Sequence, residues 1–144
     1  MKEPSSRLFR VYDANLNRAR EGLRVCEEVA RMLLDDPVLT RRCRRLRQDI
    51  HAAGRLLGGS RLVAGRDSRR DVGRPGRRGP VKTHPGVRDL LTANLRRSQE
   101  ALRVLEEFGR VRSAAASRVF GALRFRSYTL EKAFYSRLPA LRDR

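Results

Sequence analysis

Apolar residues recur three and four positions apart along most of this chain, and the recurrence divides it into four helical segments. Leu16, Ala19, Leu23, Cys26, Ala30 and Leu33 form the first amphipathic stripe, with Asp13 as the expected N-cap. Asp35-Asp36-Pro37 stops that helix, and Pro37 suits the first position of a second one. The second runs from about Val38 to Leu57, with Leu39, Cys43, Leu46 and Ile50 inward and Gly58-Gly59 at its end. A third helix covers about Val87 to Val111, with Leu91, Leu95, Leu102, Leu105 and Phe108 on its apolar side. Ser113 is placed to cap a fourth, which continues through Val119, Leu123, Tyr128, Leu130 and Phe134 to about Leu138, before Pro139.

Two of these helices are copies of one another. Residues 13–31 (DANLNRAREGLRVCEEVAR) and 92–110 (TANLRRSQEALRVLEEFGR) share 11 of 19 positions at an offset of 79. Each helical hairpin is too thin to bury its own stripe, so the duplication predicts an all-α four-helix bundle about a pseudo-twofold axis. One domain over 1–144 is expected, with hairpin one at about 5–57, a loop at 58–86 and hairpin two at about 87–138. That rotation is expected to set Asn15 opposite Asn94.

The connecting segment holds seven of the 11 Gly and three of the six Pro within 58–88, and no helical period. So long a structureless loop in a small domain is either functional or disordered. Composition adds a formal charge of +18, carried by 31 Arg and three Lys against 16 acidic residues. Such a field draws nucleic acid, anionic membranes and phosphorylated metabolites. The charge is spread evenly, however, at +5 over 1–57, +7 over 58–88 and +6 over 89–144, and aromatic residues are only 6% of the chain. Both features count against a nucleic-acid arm. No apolar run is long enough to span a membrane, and no secretory signal opens the chain, so a cytoplasmic protein is expected. Two separated cysteines make neither a disulfide framework nor a zinc site.

Several polar residues point to chemistry. On a helical wheel Glu21, Arg24 and Glu28 share a face opposite the main stripe, as do Glu100, Arg103 and Glu107 in the second copy. They read either as solvated ion pairs or as a ligand-facing set held in both copies. Asn15 and Asn94 fall in or beside the apolar arc, where each must find a partner: an interhelical hydrogen bond fixing register, or a ligand. Arg18 and Arg97 flank that arc within reach of an anion at the bundle mouth. In the loop, Asp67 and Asp71 are spaced to share Mg²⁺ while Arg66 and its neighbours hold phosphate oxygens. Residues 76–83 fail as a phosphate loop, since Val81 stands where Gly is required and no strand precedes them. His51 and His84 read as surface or satisfied histidines, and Cys26 as a core residue.

The stretch VYDANLNRAREGLRVCEEVARMLLDD, followed by GRDSRRDVG and then ANLRRSQEALRVLEEFGR, resembles a known family. It is similar to the all-helical hydroxymethylpyrimidine-phosphate kinase domain of thiamin biosynthesis, often fused ahead of thiamin-phosphate synthase. The resemblance covers about residues 8–135 and implies transfer of the ATP γ-phosphoryl group to hydroxymethylpyrimidine phosphate, with ATP and Mg²⁺ required. It further implies Arg24, Arg103 and Arg66 in charge neutralisation. Asn15, Arg18, Glu21, Glu28, Asn94, Arg97, Glu100 and Glu107 would bind substrates, and Asp67 and Asp71 the metal. A thiamin-phosphate synthase and a second copy of the chain are the further partners considered. The Arg/Gly/Pro-rich stretch after Gly73 departs from the family's expected mixed polar loop. The 144 residues leave no room for the eight strands and eight helices of a barrel, so the synthase reaction itself is not expected. The competing class is a non-catalytic basic helical module that binds nucleic acid or regulates such a synthase.

Overall fold

The computed structural model describes residues 6–73 and 79–141. Residue 5, at the expected start of hairpin one, and residues 76–78 of the phosphate-loop comparison lie outside them. Four helices carry the fold: α1 (Ser6–Glu28), α2 (Pro37–Ala53), α3 (Val87–Arg112) and α4 (Ala114–Arg137). α1 packs on α2 and α3, and α4 packs on α3 and α2, which closes a four-helix ring around one core. No described helix is long and apolar enough to cross a membrane.

Helix α1 begins seven residues before Asp13, so that carboxylate is interior and buried rather than a cap. The helix ends in a π-turn over Val29–Leu33, closed by the Leu34 amide donating to the Val29 carbonyl at 3.0 Å. A π-turn fits one extra residue into the turn and so rotates the stripe that follows. Leu34 therefore enters the core at 3% exposure, while Leu33, the expected inward residue, is 39% exposed. Asp36 Oδ1 accepts from the Leu39 amide at 2.9 Å and starts α2 with Pro37 in its first turn. Ser113 caps α4 as expected, its Oγ accepting from the Ala116 amide at 3.1 Å. The inward stripe of α4 is Ala116, Phe120, Leu123, Ser127, Leu130 and Phe134. Val119 and Tyr128, expected inward, lie beside it and are partly exposed, as is Phe108 at the end of α3.

α1 and α3 run antiparallel. Tyr12 Oη donates to the Phe108 carbonyl at 2.9 Å, and Ser98 Oγ donates to the Ala19 carbonyl at 2.8 Å. Ala19 and Ser98 are equivalent positions at the offset of 79, so the pseudo-twofold axis passes through their contact. Asn15 and Asn94 consequently lie on either side of the axis, not opposite one another. Each amide turns back on its own helix, Asn15 Nδ2 to the Val11 carbonyl and Asn94 Nδ2 to the Leu90 carbonyl, both at 2.9 Å. Gly22 marks the closest approach of the two helices: a Cβ there would overlap Ser98 Oγ and lie 2.6 Å from the Asn94 carbonyl oxygen.

The duplication extends to α2 and α4, at a different offset. Three residues separate the π-turn from α2 and one separates α3 from α4, which shortens the offset to 77. Leu39, Cys43, Leu46, Ile50, Ala53 and Leu57 then match Ala116, Phe120, Leu123, Ser127, Leu130 and Phe134, every one of them buried. Asp49 and Arg126, equivalent in this register, pair with each other at 2.8 Å. The axis thus crosses both helix pairs.

The connecting segment is partly ordered. Gly59–Gly65, expected as loop, is a 3₁₀ helix that packs on α1 and buries Leu62.

Candidate functional site

A cavity of about 660 Å³ opens where the described loop residues meet α1 and the nearest part of α3. Five arginines (Arg7, Arg10, Arg18, Arg66 and Arg97) and four carboxylates (Asp13, Glu21, Asp67 and Asp71) line it, together with Asn15, Asn17 and Ser68. Arg18 and Arg97 are equivalent residues immediately before the Ala19–Ser98 crossing, so the axis itself brings them to one cavity from opposite helices.

The loop is anchored to α1 by one ion pair. Arg66 donates through Nε to Asp13 Oδ2 and through Nη2 to Asp13 Oδ1, each at 2.8 Å. Backbone contact permits this: a Cβ at Gly65 would sit 2.6 Å from the Ser6 carbonyl, so the chain here touches the first turn of α1. The hydrogen bonds and charge of Asp13 push the Arg66 pKa up, which fixes the guanidinium as a cation. A bidentate fork also fixes its orientation. Asp71 Oδ1 accepts from the Gly73 amide at 2.8 Å, and Asp67 Oδ1 from the Arg70 amide at 3.3 Å. Asp67 Oδ2 also lies 3.8 Å from Arg70 Nε. Among the described residues no three His, Cys, Asp or Glu side chains gather as a metal cluster.

Of the expected site residues, the cavity gathers Asn15, Arg18, Glu21, Arg97, Arg66, Asp67 and Asp71. It does not include Arg24, Glu28, Asn94, Glu100, Arg103 or Glu107. Arg24 and Arg103, expected at the phosphates, are instead held by acids of their own helices. Arg24 pairs with Glu27 at 3.2 Å and Glu28 at 3.4 Å; Arg103 pairs with Glu106 at 2.7 Å and Glu107 at 3.2 Å.

Glu27 and Glu106 explain much of what the two copies share. Glu27 is fully buried and accepts from Arg47 of α2 at 3.0 Å, with Arg44 at 3.6 Å. Glu106 accepts from Arg124 of α4 at 2.9 Å. Arg47 and Arg124 are equivalents at the offset of 77, so one carboxylate–guanidinium pair ties each hairpin together. Burial pushes the Glu106 carboxyl up, but hydrogen bonds from Arg103 and Arg124 together outweigh it and leave the pKa below its ordinary value. A signal for these residues existed: Glu27 follows Leu23 by four and so lies on the apolar arc, and Asp13 precedes Leu16 by three. Arg7 and Arg10 carry no such mark, because their place in the cavity depends on where the loop lands.

Comparison with known proteins follows the same boundaries. The family model described as the ThiD2 family matches residues 10–133. A thiamine-phosphate synthase of Thermosynechococcus vestitus is 43% identical over 127 residues, covering 88% of this chain and 35% of that protein. One of Synechocystis sp. is 44% identical over 124 residues, covering 86% and 35%. One of Rhodopirellula baltica is 32% identical over 140 residues, covering 97% and 37%. The chain thus spans about a third of the length of the curated relatives it matches. No solved structure matches.

Proposed function

We propose, from the premise that the chain belongs to the ThiD2 family, that it acts in thiamin biosynthesis as a hydroxymethylpyrimidine-phosphate kinase. The reaction would pass the γ-phosphoryl group of ATP to the pyrimidine monophosphate. The names of the relatives support the pathway, since a thiamin-phosphate synthase consumes the diphosphate that this reaction makes. The observation that carries the kinase reading is the cavity in which five arginines and four carboxylates converge.

That lining matches what the reaction demands. A phosphate monoester has a second pKa near 6, so its attacking oxygen is already ionised at neutral pH and needs little general base. The difficulty is bringing two polyanions together and holding them in line. In this reading Arg18 and Arg97, one from each copy, bracket the phosphates, and Arg10 adds a third cation to the same lining. Asp13 occupies Nε and Nη2 of Arg66, which leaves Nη1 to offer a phosphate oxygen a preset donor. Asp67 and Asp71 fit Mg²⁺ that arrives with the nucleotide, because this ion needs only one or two carboxylates beside phosphate and water; bound there, it would neutralise phosphate oxygens. Arg24 and Arg103 serve the fold, by covering Glu27 and Glu106.

The test is ³¹P NMR of the purified chain with ATP, Mg²⁺ and hydroxymethylpyrimidine phosphate. Stoichiometric ADP and pyrimidine diphosphate are expected. Arg66→Ala should lower turnover by about 10²-fold, as removal of one preorganised donor does at other sites. Arg66→Lys should recover part of it, since an ammonium cannot make the two-pronged contact with Asp13. Arg24→Ala and Arg103→Ala should keep near-normal turnover. Absence of diphosphate, with steeply salt-dependent binding to random RNA, would instead favour a nucleic-acid module.

A further inference from the structure

A second cavity, of about 460 Å³, lies on the other side of α1, between that helix, the end of α2 and the 3₁₀ segment. Asp13, Asn17 and Arg66 line both cavities, so the two are separated only by this ridge. The linings differ in chemistry. The first exposes as much apolar surface, but draws it from Val11, Ala14 and the stems of charged and polar side chains. The second has apolar walls, Leu16, Leu62 and Val63, with Arg20, His51 and Arg55 set among them. Arg20 Nε is buried without a hydrogen-bond partner among the described residues. Its guanidinium is one of three, with those of Arg55 and Arg66, that line the cavity.

We infer that this second cavity receives the pyrimidine monophosphate while the polyphosphate of the nucleotide occupies the first. The inference rests on the kinase reading and assigns its two reactants. A flat neutral heterocycle calls for apolar walls and a few polar groups that orient it; the second cavity offers Leu16, Leu62 and Val63 for this, and the first only Val11 and Ala14 among its charged groups. Its phosphate then lies toward the ridge, with Arg66, which is part of the ridge, and Arg20 in the same lining to receive it. An oxygen of that phosphate attacks the γ-phosphorus across the ridge. A new P–O bond forms, the bond from the γ-phosphorus to its bridging oxygen breaks, and ADP departs with the electron pair.

The experiment is calorimetric titration of the full chain with hydroxymethylpyrimidine phosphate and, separately, with Mg²⁺ and a non-hydrolysable ATP analogue, alongside KM measurements. Val63→Trp fills the second cavity from its exposed rim, and Arg55→Ala removes a charge that the first cavity does not share. Both should weaken pyrimidine phosphate binding at least tenfold and leave the nucleotide analogue unchanged. Arg10→Ala, in the first cavity only, should do the reverse. Turnover with wild-type KM for the pyrimidine in both Val63→Trp and Arg55→Ala would overturn the assignment and leave the kinase standing. Loss of nucleotide binding in those two variants would overturn it as well, by placing the base of ATP there. Binding of both ligands in the predicted pattern without any diphosphate would uphold the subsite and remove the kinase.

Discussion

The two hairpins share a stripe, a carboxylate–guanidinium tie and an Asn/Arg/Glu face, yet among the described residues the charged cavity gathers that face from one of them. Around α1, Asn15, Arg18 and Glu21 meet Arg66, Asp67 and Asp71 from the connecting segment. Around α3, the equivalents Asn94 and Glu100 lie outside that cavity, and only Arg97 reaches it across the axis. Duplication supplies a rigid symmetric scaffold, and one ordered loop breaks the symmetry. The charged face therefore needs a second element before it becomes a site, and helical spacing alone cannot say which copy acquires one.

The hairpin ties offer the largest test of this contrast. Glu27 is completely buried, whereas the Glu106 side chain is 16% exposed. Glu27→Ala should cost about 3–5 kcal/mol of unfolding free energy, because Arg47 is left as a poorly solvated charge. Glu106→Ala should cost less, about 1–3 kcal/mol, since the carboxylate it removes is already partly hydrated and Arg124 keeps its hydrogen bond to Tyr128 Oη at 3.2 Å. Paired denaturant titrations read the difference directly. Equal losses would mean that the two ties are environmentally alike.

Next in size is the crossing of α1 and α3. Gly22→Ala forces a methyl against Ser98 and the Asn94 backbone, and should destabilise by about 1–3 kcal/mol. Its equivalent, Ala101, already carries that methyl while buried, so Ala101→Gly should cost only about 1 kcal/mol, as a helix-interior glycine does. A neutral Gly22→Ala would show that the crossing can widen.

A smaller effect depends on pH. The Glu106 carboxyl has a folded pKa below its ordinary value of about 4.5. Its contribution is therefore complete above that ordinary value and disappears as pH falls through the lowered one. Thermal unfolding followed from pH 6 downward should show a steeper loss in wild type than in Glu106→Gln.

Much of the fold was legible because the stripes of α1, α2 and α3 obey one period, and because Ser113, Pro37 and Gly58 punctuate it. The match of α2 to α4 was hidden by a connection two residues shorter, which moves it from an offset of 79 to 77. Leu33 was misplaced because a π-turn leaves no mark in an apolar pattern. For the site, Arg18, Arg97 and the loop acids were readable as anion- and metal-binding types. Arg24 was not, since a wheel shows the face a residue shares and not the buried carboxylate that neutralises it. Asp13 reads as a cap until the preceding turn is known to be helical.

The central claim is that one half of the duplicated face works and its mirror half does not. Initial rates of pyrimidine diphosphate formation by two matched double variants test it most directly. Asn15→Ala with Glu21→Gln should lower kcat/KM by about 10²-fold or more, on the scale of a lost preorganised contact. Asn94→Ala with Glu100→Gln should stay near wild type, with both proteins folded by circular dichroism. Equal losses in the two double variants, or the greater loss in the second, would contradict the account.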